Sequence, residues 1–352
     1  MSVSRLSQIR LLIRRSSPFL LFNLLALLAG CSDGDPVASF GGPAMGSRYS
    51  VQYVPTARTP RPRQVQAEVE SILTVVDQQL SLYRSDSEVQ RFNALPADSC
   101  QLMPPAVLGL VRYGQSLSST SGGAYDLTVG PLNQLWGLGP GHHPQQVPRP
   151  PVLALTRQRV GYQHLHIDGD QLCKDAAVAL DFNGIAGGYA VERIGARLQA
   201  LGVGSYQAEA AGQLKALGRK PDGSAWQVSV PAPQASDAQA MQVLGIDGYG
   251  VSTSAESRSY FAPQTKDFSH LLDARTGAPI THNLSSVTVI HPSAMSADGL
   301  STLLMILGPE QGWAYAQGHD IAALFVRRDG EALSARPTPA FERIAAAGKV
   351  TH

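Results

Sequence analysis

Asp298 and Thr302 are the residues whose types and spacing point most directly to chemistry. They lie four apart in the run Ser293 to Gly308, Ser-Ala-Met-Ser-Ala-Asp-Gly-Leu-Ser-Thr-Leu-Leu-Met-Ile-Leu-Gly. That run reads as a helix opened by Ser293 or Ser296 and stopped by Gly308 and Pro309. At ~100° per residue, Leu300, Leu303, Leu304 and Leu307 form one apolar face. Asp298 and Thr302 share the opposite side, flanked by Met305 and Ile306. A carboxylate and a hydroxyl one turn apart, in apolar surroundings, are two hard oxygen ligands. The polar face of an ordinary helix has the same spacing, so the pair needs support from the rest of the chain.

Three further stretches carry candidate chemistry. Asp181-Phe-Asn-Gly184-Ile-Ala-Gly187-Gly188 reads as a strand end, a cap at Asn183 and a Gly-rich entry to a helix carrying Ile194, Leu198 and Leu201 on one face. Exposed amides at such an entry attract phosphate, although glycine also serves close helix packing; neither GxxxxGK[ST] nor GxGxxG is present. In Phe268-Ser-His270-Leu-Leu-Asp273-Ala-Arg-Thr-Gly277, turn chemistry follows a histidine suited to general-base or phosphate-binding work, or to a structural place at a strand end. Gly122 to Pro140 mixes small residues, aromatics and Asp126, as a ligand pocket or a turn-rich loop would. His164 and His166 share a strand face without an evident third ligand. No GxSxG, HExxH or CxxC pattern occurs.

These residues must be positioned by helices at Arg63–Leu80 (Val65, Val69, Ile72, Val76 and Leu80 inward), at 107–119 and from Asn183 to Leu201. Strands are expected at 49–54, 164–167, 177–182, 226–230, 241–246, 250–253, 286–290 and 321–327. Helices and short strands mix without βαβ alternation, which predicts an α+β fold. A Pro-rich stretch, 142–151, reads as a loop excursion.

The first thirty residues read as an export signal. Arg5, Arg10, Arg14 and Arg15 precede an apolar run from Pro18 to Gly30, too short for the ~20 residues of a membrane span. Leu28-Ala-Gly-Cys31 resembles a bacterial lipobox, which implies lipidation of Cys31, a tether over 31–40 and a folded domain over 41–347. The whole chain has 28 basic and 27 acidic residues; without the four leader arginines, 24 stand against 27, a net charge near −3. No basic run or aromatic-basic interleaving suggests nucleic acid. Cys100 and Cys173 can pair in an oxidising compartment or remain separate buried thiols.

Together, Ala44-Met-Gly-Ser47, Leu80–Glu88 with Arg91-Phe-Asn93, Ala124–Gly139, Asp181–Glu192, Gly250–Tyr260, Ser269–Pro279 and Ser286–Gly308 resemble, in order, the bacterial ApbE flavin-transferase family. The resemblance implies a single large domain. It implies Mg²⁺-dependent transfer of FMN from FAD to a Thr or Ser hydroxyl of a partner protein, with AMP released. By the same resemblance, Gly184 (through its carbonyl), Asp298 and Thr302 hold Mg²⁺. Met45, Tyr83, Ala124, Tyr125, Asp126, Asp181, Gly187 and His270 to Leu272 contact FAD; Tyr83 or Tyr125 stacks on the flavin, and His270 lies nearest the attacking hydroxyl. Expected partners are periplasm-facing domains of membrane electron-transfer proteins, reached from a lipid anchor. Gly187 stands where relatives often carry Lys or a carboxylate, Ala211-Gly212 replaces a Gly-Gly pair and is expected to narrow a turn, and Ala255 replaces a Gly. A lipid-anchored FAD-binding protein without transfer, and an FAD pyrophosphatase giving FMN and AMP, are the competing readings.

Overall fold

Alternating and continuous apolar segments build one eight-stranded sheet whose neighbours all run antiparallel. Its strand order is Ala38–Ala44, Ser47–Tyr53, Tyr206–Ala210, Gln213–Leu217, Tyr249–Ala255, Leu284–His291, Ala322–Asp329 and Ala332–Pro337. The computed structural model describes residues 37–140, 147–231, 240–256, 268–330 and 332–347, all within one compact unit beginning at Val37. The expected leader over 1–30 and Cys31 lie outside the described residues. The first strand starts at Ala38, where Ala38 pairs with Tyr53, so the sheet begins inside the segment read as a tether. The expected α+β class stands.

Both faces of the sheet are covered, which explains why its later strands are apolar without strict alternation. On one face Ala216, Val251, Ile290, Leu324 and Val326 pack with Trp226, Leu244 and Phe341. On the other, Val287, Val289, Ala323 and Phe325 pack against Ala297, Leu304 and Met305. These last three belong to the helix Ala294–Gly318, which packs on the sheet with the helix Ala186–Ala200, also against the sheet, at its side. It is therefore buried almost all round. Leu300 and Leu307 are only partly buried, whereas Asp298, Ser301 and Thr302 are buried. Asp298 and Thr302 are enclosed, as read, but the expected apolar face of four leucines is uneven, with Leu303 and Leu304 buried and Leu300 and Leu307 only partly so.

The expected stop at Gly308 is met: Gly308 leaves the helical conformation at φ +79°, and a second helical stretch runs on from Pro309 to Gly318. Pro309 has no N–H to give the Met305 carbonyl four residues back; His282 Nε2 bonds that carbonyl instead at 2.9 Å. In the helix Pro62–Leu80 the buried set is Val65, Val69, Leu73, Val76 and Leu80, with Leu73 rather than Ile72 at the centre. Residues 177–182 do not form the expected strand. Their main chain is held from outside by Asn93, whose side chain bonds both Leu180 N and Leu180 O at 2.7 and 2.9 Å, and by Leu127 O, which accepts from Asp181 N. Cys100 and Cys173 are register partners in the three-stranded sheet of Ser99–Leu102, Gln171–Lys174 and Leu165–Asp168, and they are disulfide-bonded. Among the described residues no helix is long and apolar enough to cross a membrane.

Candidate metal and flavin site

Two helices cap one another here. The helix Ala186–Ala200 starts without a side-chain cap of its own; Ile185 occupies the N-cap position, not the expected Asn183. Its third amide, Gly188 N, instead donates to Asp298 Oδ2 at 2.8 Å. In return, Glu192 Oε2 accepts from Ala294 N, the first residue of the Asp298 helix, at 2.6 Å. Lys215, itself nearly buried, bonds Glu192 and donates to Pro292 O at 3.0 Å. Such close approach requires Gly188: a Cβ there would lie 2.4 Å from Ala294 O and 2.6 Å from Asp298 Cβ. The packing reading of this glycine-rich entry holds at Gly188, whose amide is taken by Asp298 and is not exposed to a phosphate.

Thr302 lies against Gly184, and Asp298 stands one turn earlier on the same helix. Thr302 Oγ1 lies 3.4 Å from Gly184 O and 3.2 Å from Ser254 Oγ. Ser252 Oγ reaches Asp298 Oδ1 at 3.5 Å. Asp298 is 3% exposed, and burial pushes its carboxyl up to about 7 against the opposing pull of Gly188 N and Ser252. A buried carboxylate beside a hydroxyl and a carbonyl is a hard oxygen donor set that fits Mg²⁺. Among the described residues, no group of three or more His, Cys, Asp or Glu is placed to hold a metal.

The flavin candidates divide. Tyr83 is 77% exposed and offers a ring to a ligand; Tyr125 is buried beneath Gly184, so of the two only Tyr83 presents an open face for stacking. Asp126 and Asp181 are buried with their oxygens engaged. Asp126 accepts from Thr128 N and Oγ1 and from Tyr162 N, all at 2.7 to 2.8 Å. Asp181 accepts from Asn133 Nδ2 at 2.7 Å and Asn183 N at 2.8 Å. Burial raises both carboxyls. Any flavin contact from Asp126 and Asp181 would run through their main chains or require these bonds to be shared. Met45, partly buried, turns the first hairpin at φ +52°. Ala211 turns the hairpin beside it, and its N–H donates to Arg48 O. Ala211 takes φ +50° and Gly212 φ +83°, so the turn keeps a glycine-like shape rather than narrowing. A Cβ at Gly187 would lie 2.7 Å from Gln213 Cγ, which places Gln213 in the space such a side chain would need. The His270 segment is drawn in by two contacts: Ala274 N donates to buried Ala124 O, and the Leu272–Asp273 strand touches the Asp298 helix. Leu272 is buried. His164 and His166 both bond Asp175, at 2.7 and 3.0 Å, on an exposed surface.

Sequence reading missed Ser252, Ser254, Ser301, Glu192, Lys215 and Gln213. A signal existed for the serines: Ser252 and Ser254 alternate on one strand face, and Ser301 is next to Thr302 and three residues after Asp298.

The profile of the ApbE family matches residues 45–325. The chain belongs to the ApbE family. An FAD:protein FMN transferase of Vibrio cholerae is 33% identical over 319 residues, covering 90% of this chain and 96% of that relative. One from Haemophilus influenzae is 31% identical over 333 residues, covering 90% and 94%. Among ApbE folds, the apo crystal structure of Pseudomonas stutzeri flavinyl transferase ApbE superposes with a TM-score of 0.81 at 50% identity, covering 88% of this chain and 96% of that one. The flavin transferase ApbE of Vibrio cholerae gives 0.80 at 31% identity, covering 88% and 99%.

Proposed function

We propose that this ApbE transferase moves the FMN half of FAD onto a Thr or Ser hydroxyl of a partner protein, releasing AMP, with Mg²⁺ at Asp298, Thr302 and the Gly184 carbonyl. The observation that carries the reading is the contact of Thr302 Oγ1 with Gly184 O, one helical turn from the buried carboxylate of Asp298, which bonds Gly188 N in the same glycine-rich entry. When bound, Mg²⁺ neutralises charge on the pyrophosphate during transfer.

The chain's own residues supply the rest. Asp298 and Thr302 are fixed on a helix packed against both the sheet and the helix Ala186–Ala200, so the donor set is preorganised. Tyr83 gives an exposed ring for stacking. His270 accepts the proton as the partner's hydroxyl oxygen bonds to the phosphorus of the FMN half. The phosphorus–oxygen bond to AMP breaks, and AMP leaves with the bridging oxygen. Cys31 as a lipid anchor, and periplasm-facing domains of membrane electron-transfer proteins as acceptors, complete the proposal.

The test is mass spectrometry of a Thr-bearing acceptor domain incubated with the full chain, FAD and Mg²⁺, beside an EDTA control. A Mg²⁺-dependent gain of one FMN with equimolar AMP is expected. AMP without protein-bound flavin would shift the reading to a pyrophosphatase. Bound FAD without turnover would shift it to a flavin-binding protein.

A further inference from the structure

Between the two side-chain oxygens assigned to the metal runs a line of serine hydroxyls. Thr302 Oγ1 is 3.2 Å from Ser254 Oγ, Ser254 Oγ is 3.1 Å from Ser301 Oγ, and Ser301 Oγ is 2.8 Å from Ser252 Oγ. Ser252 Oγ closes the line at 3.5 Å from Asp298 Oδ1. Ser252 and Ser301 are fully buried. Each hydroxyl has one proton to give and lone pairs to receive, so neighbouring orientations are not independent.

We propose that Ser254, Ser301 and Ser252 are positioning residues that couple Thr302 to Asp298 and set which lone pairs face the ion. The inference rests on the Mg²⁺ assignment above. A hydroxyl that ligates a cation must turn its proton away from it. Gly184 O, the other near acceptor, belongs to the same donor set, so the Thr302 proton goes to Ser254. Ser254 then donates to Ser301. An ionised Asp298 can only accept, so Ser252 donates to it. With the Ser252 proton on the carboxylate, the 2.8 Å contact between Ser252 and Ser301 is a hydrogen bond only when Ser301 donates. The Asp298 carbonyl, 3.0 Å from Ser301 Oγ, is a second acceptor for that proton. Every donor points from Thr302 toward the carboxylate. Removing one serine frees Thr302 to rotate, or leaves Oδ1 without its donor.

The measurement is calorimetric titration of the full chain with Mg²⁺ alone. Loss of one such hydrogen bond predicts roughly ten-fold weaker binding for Ser254→Ala and Ser301→Ala. Ser254→Thr, which keeps a hydroxyl at a partly buried position, restores affinity to within about two-fold of the wild type. Thr253→Val, which removes a hydroxyl paired with Thr288 instead, leaves Mg²⁺ binding unchanged. Thermal melting of each variant identifies any that fail to fold. If Ser254→Ala and Ser301→Ala bind like the wild type while Asp298→Ala does not, the chain has no positioning role. If Ser254→Thr is as weak as Ser254→Ala, the loss is one of packing and the proposal falls. If Asp298→Ala itself binds Mg²⁺ normally, the metal assignment fails, a different outcome from failure of the serine chain alone.

Discussion

Asp298 differs from Asp126 and Asp181 in what surrounds its oxygens. All three are buried aspartates. Asp126 and Asp181 each close short bonds to amides or hydroxyls on both oxygens. Asp298 has one short amide bond and one hydroxyl at 3.5 Å. Burial costs a carboxylate less when several donors solvate it. Asp126 and Asp181 are thereby solvated by the protein and hold loops in shape, whereas Asp298 is left with capacity for a cation. Burial and residue type alone do not separate these three aspartates; the saturation of their oxygens does.

Asp298→Ala should lower Mg²⁺-dependent flavin transfer by at least about a hundred-fold, read as FMN gained by an acceptor domain, and should cost about 1 kcal/mol of stability because Gly188 N loses its acceptor. Retained transfer would erase the distinction. Asp181→Ala or Asp126→Ala should do the reverse, costing about 2–3 kcal/mol of stability because Asn133, Thr128 or Tyr162 donors lose their acceptors. Chemical denaturation checks this, and an unchanged midpoint would mean that these bonds are dispensable.

The pH response sharpens the contrast. In metal-free protein Asp298 titrates near 7, against 3.8 for an ordinary carboxyl. The folded state therefore holds the extra proton between those values. This contribution is present in full below pH ~4 and is lost as pH rises toward 7. Asp298→Asn should flatten that part of the stability profile. Mg²⁺ binding at pH 6 should release close to one proton, and none at pH 8. Titration in two buffers of different ionisation enthalpy measures this, and pH-independent release would mean that the carboxyl is already ionised. The smallest effect belongs to Ala211, beside the site at φ +50°. Ala211→Gly should stabilise the fold by about 1 kcal/mol, because a left-handed alanine is strained. A neutral or negative shift in melting temperature would show that the turn is unstrained.

Much was legible in sequence because some signals are local. Helical spacing placed the inward face of Pro62–Leu80 to within one residue, and the one-turn spacing of Asp298 and Thr302 put both on one side of a helix. The paired cysteines were legible only as a possibility, since spacing says nothing of strand register. Residues 177–182 misled because an extended apolar segment looks like a strand whether its amides meet another strand or the side chain of Asn93. His282 beneath the Gly308 kink gave no signal at all, for its acceptor lies 23 residues away.

By itself the sequence determined the α+β composition, the ordered ApbE segments and the one-turn pairing of Asp298 with Thr302, because these depend on residue identity and short spacings. Only the tertiary structure decided that Asp298 caps the helix Ala186–Ala200, that Asp126 and Asp181 are occupied by protein donors, and that three serines join Thr302 to Asp298. Those facts arise from hydrogen bonds between segments far apart in the chain, whose partners are chosen by packing and not by any local pattern.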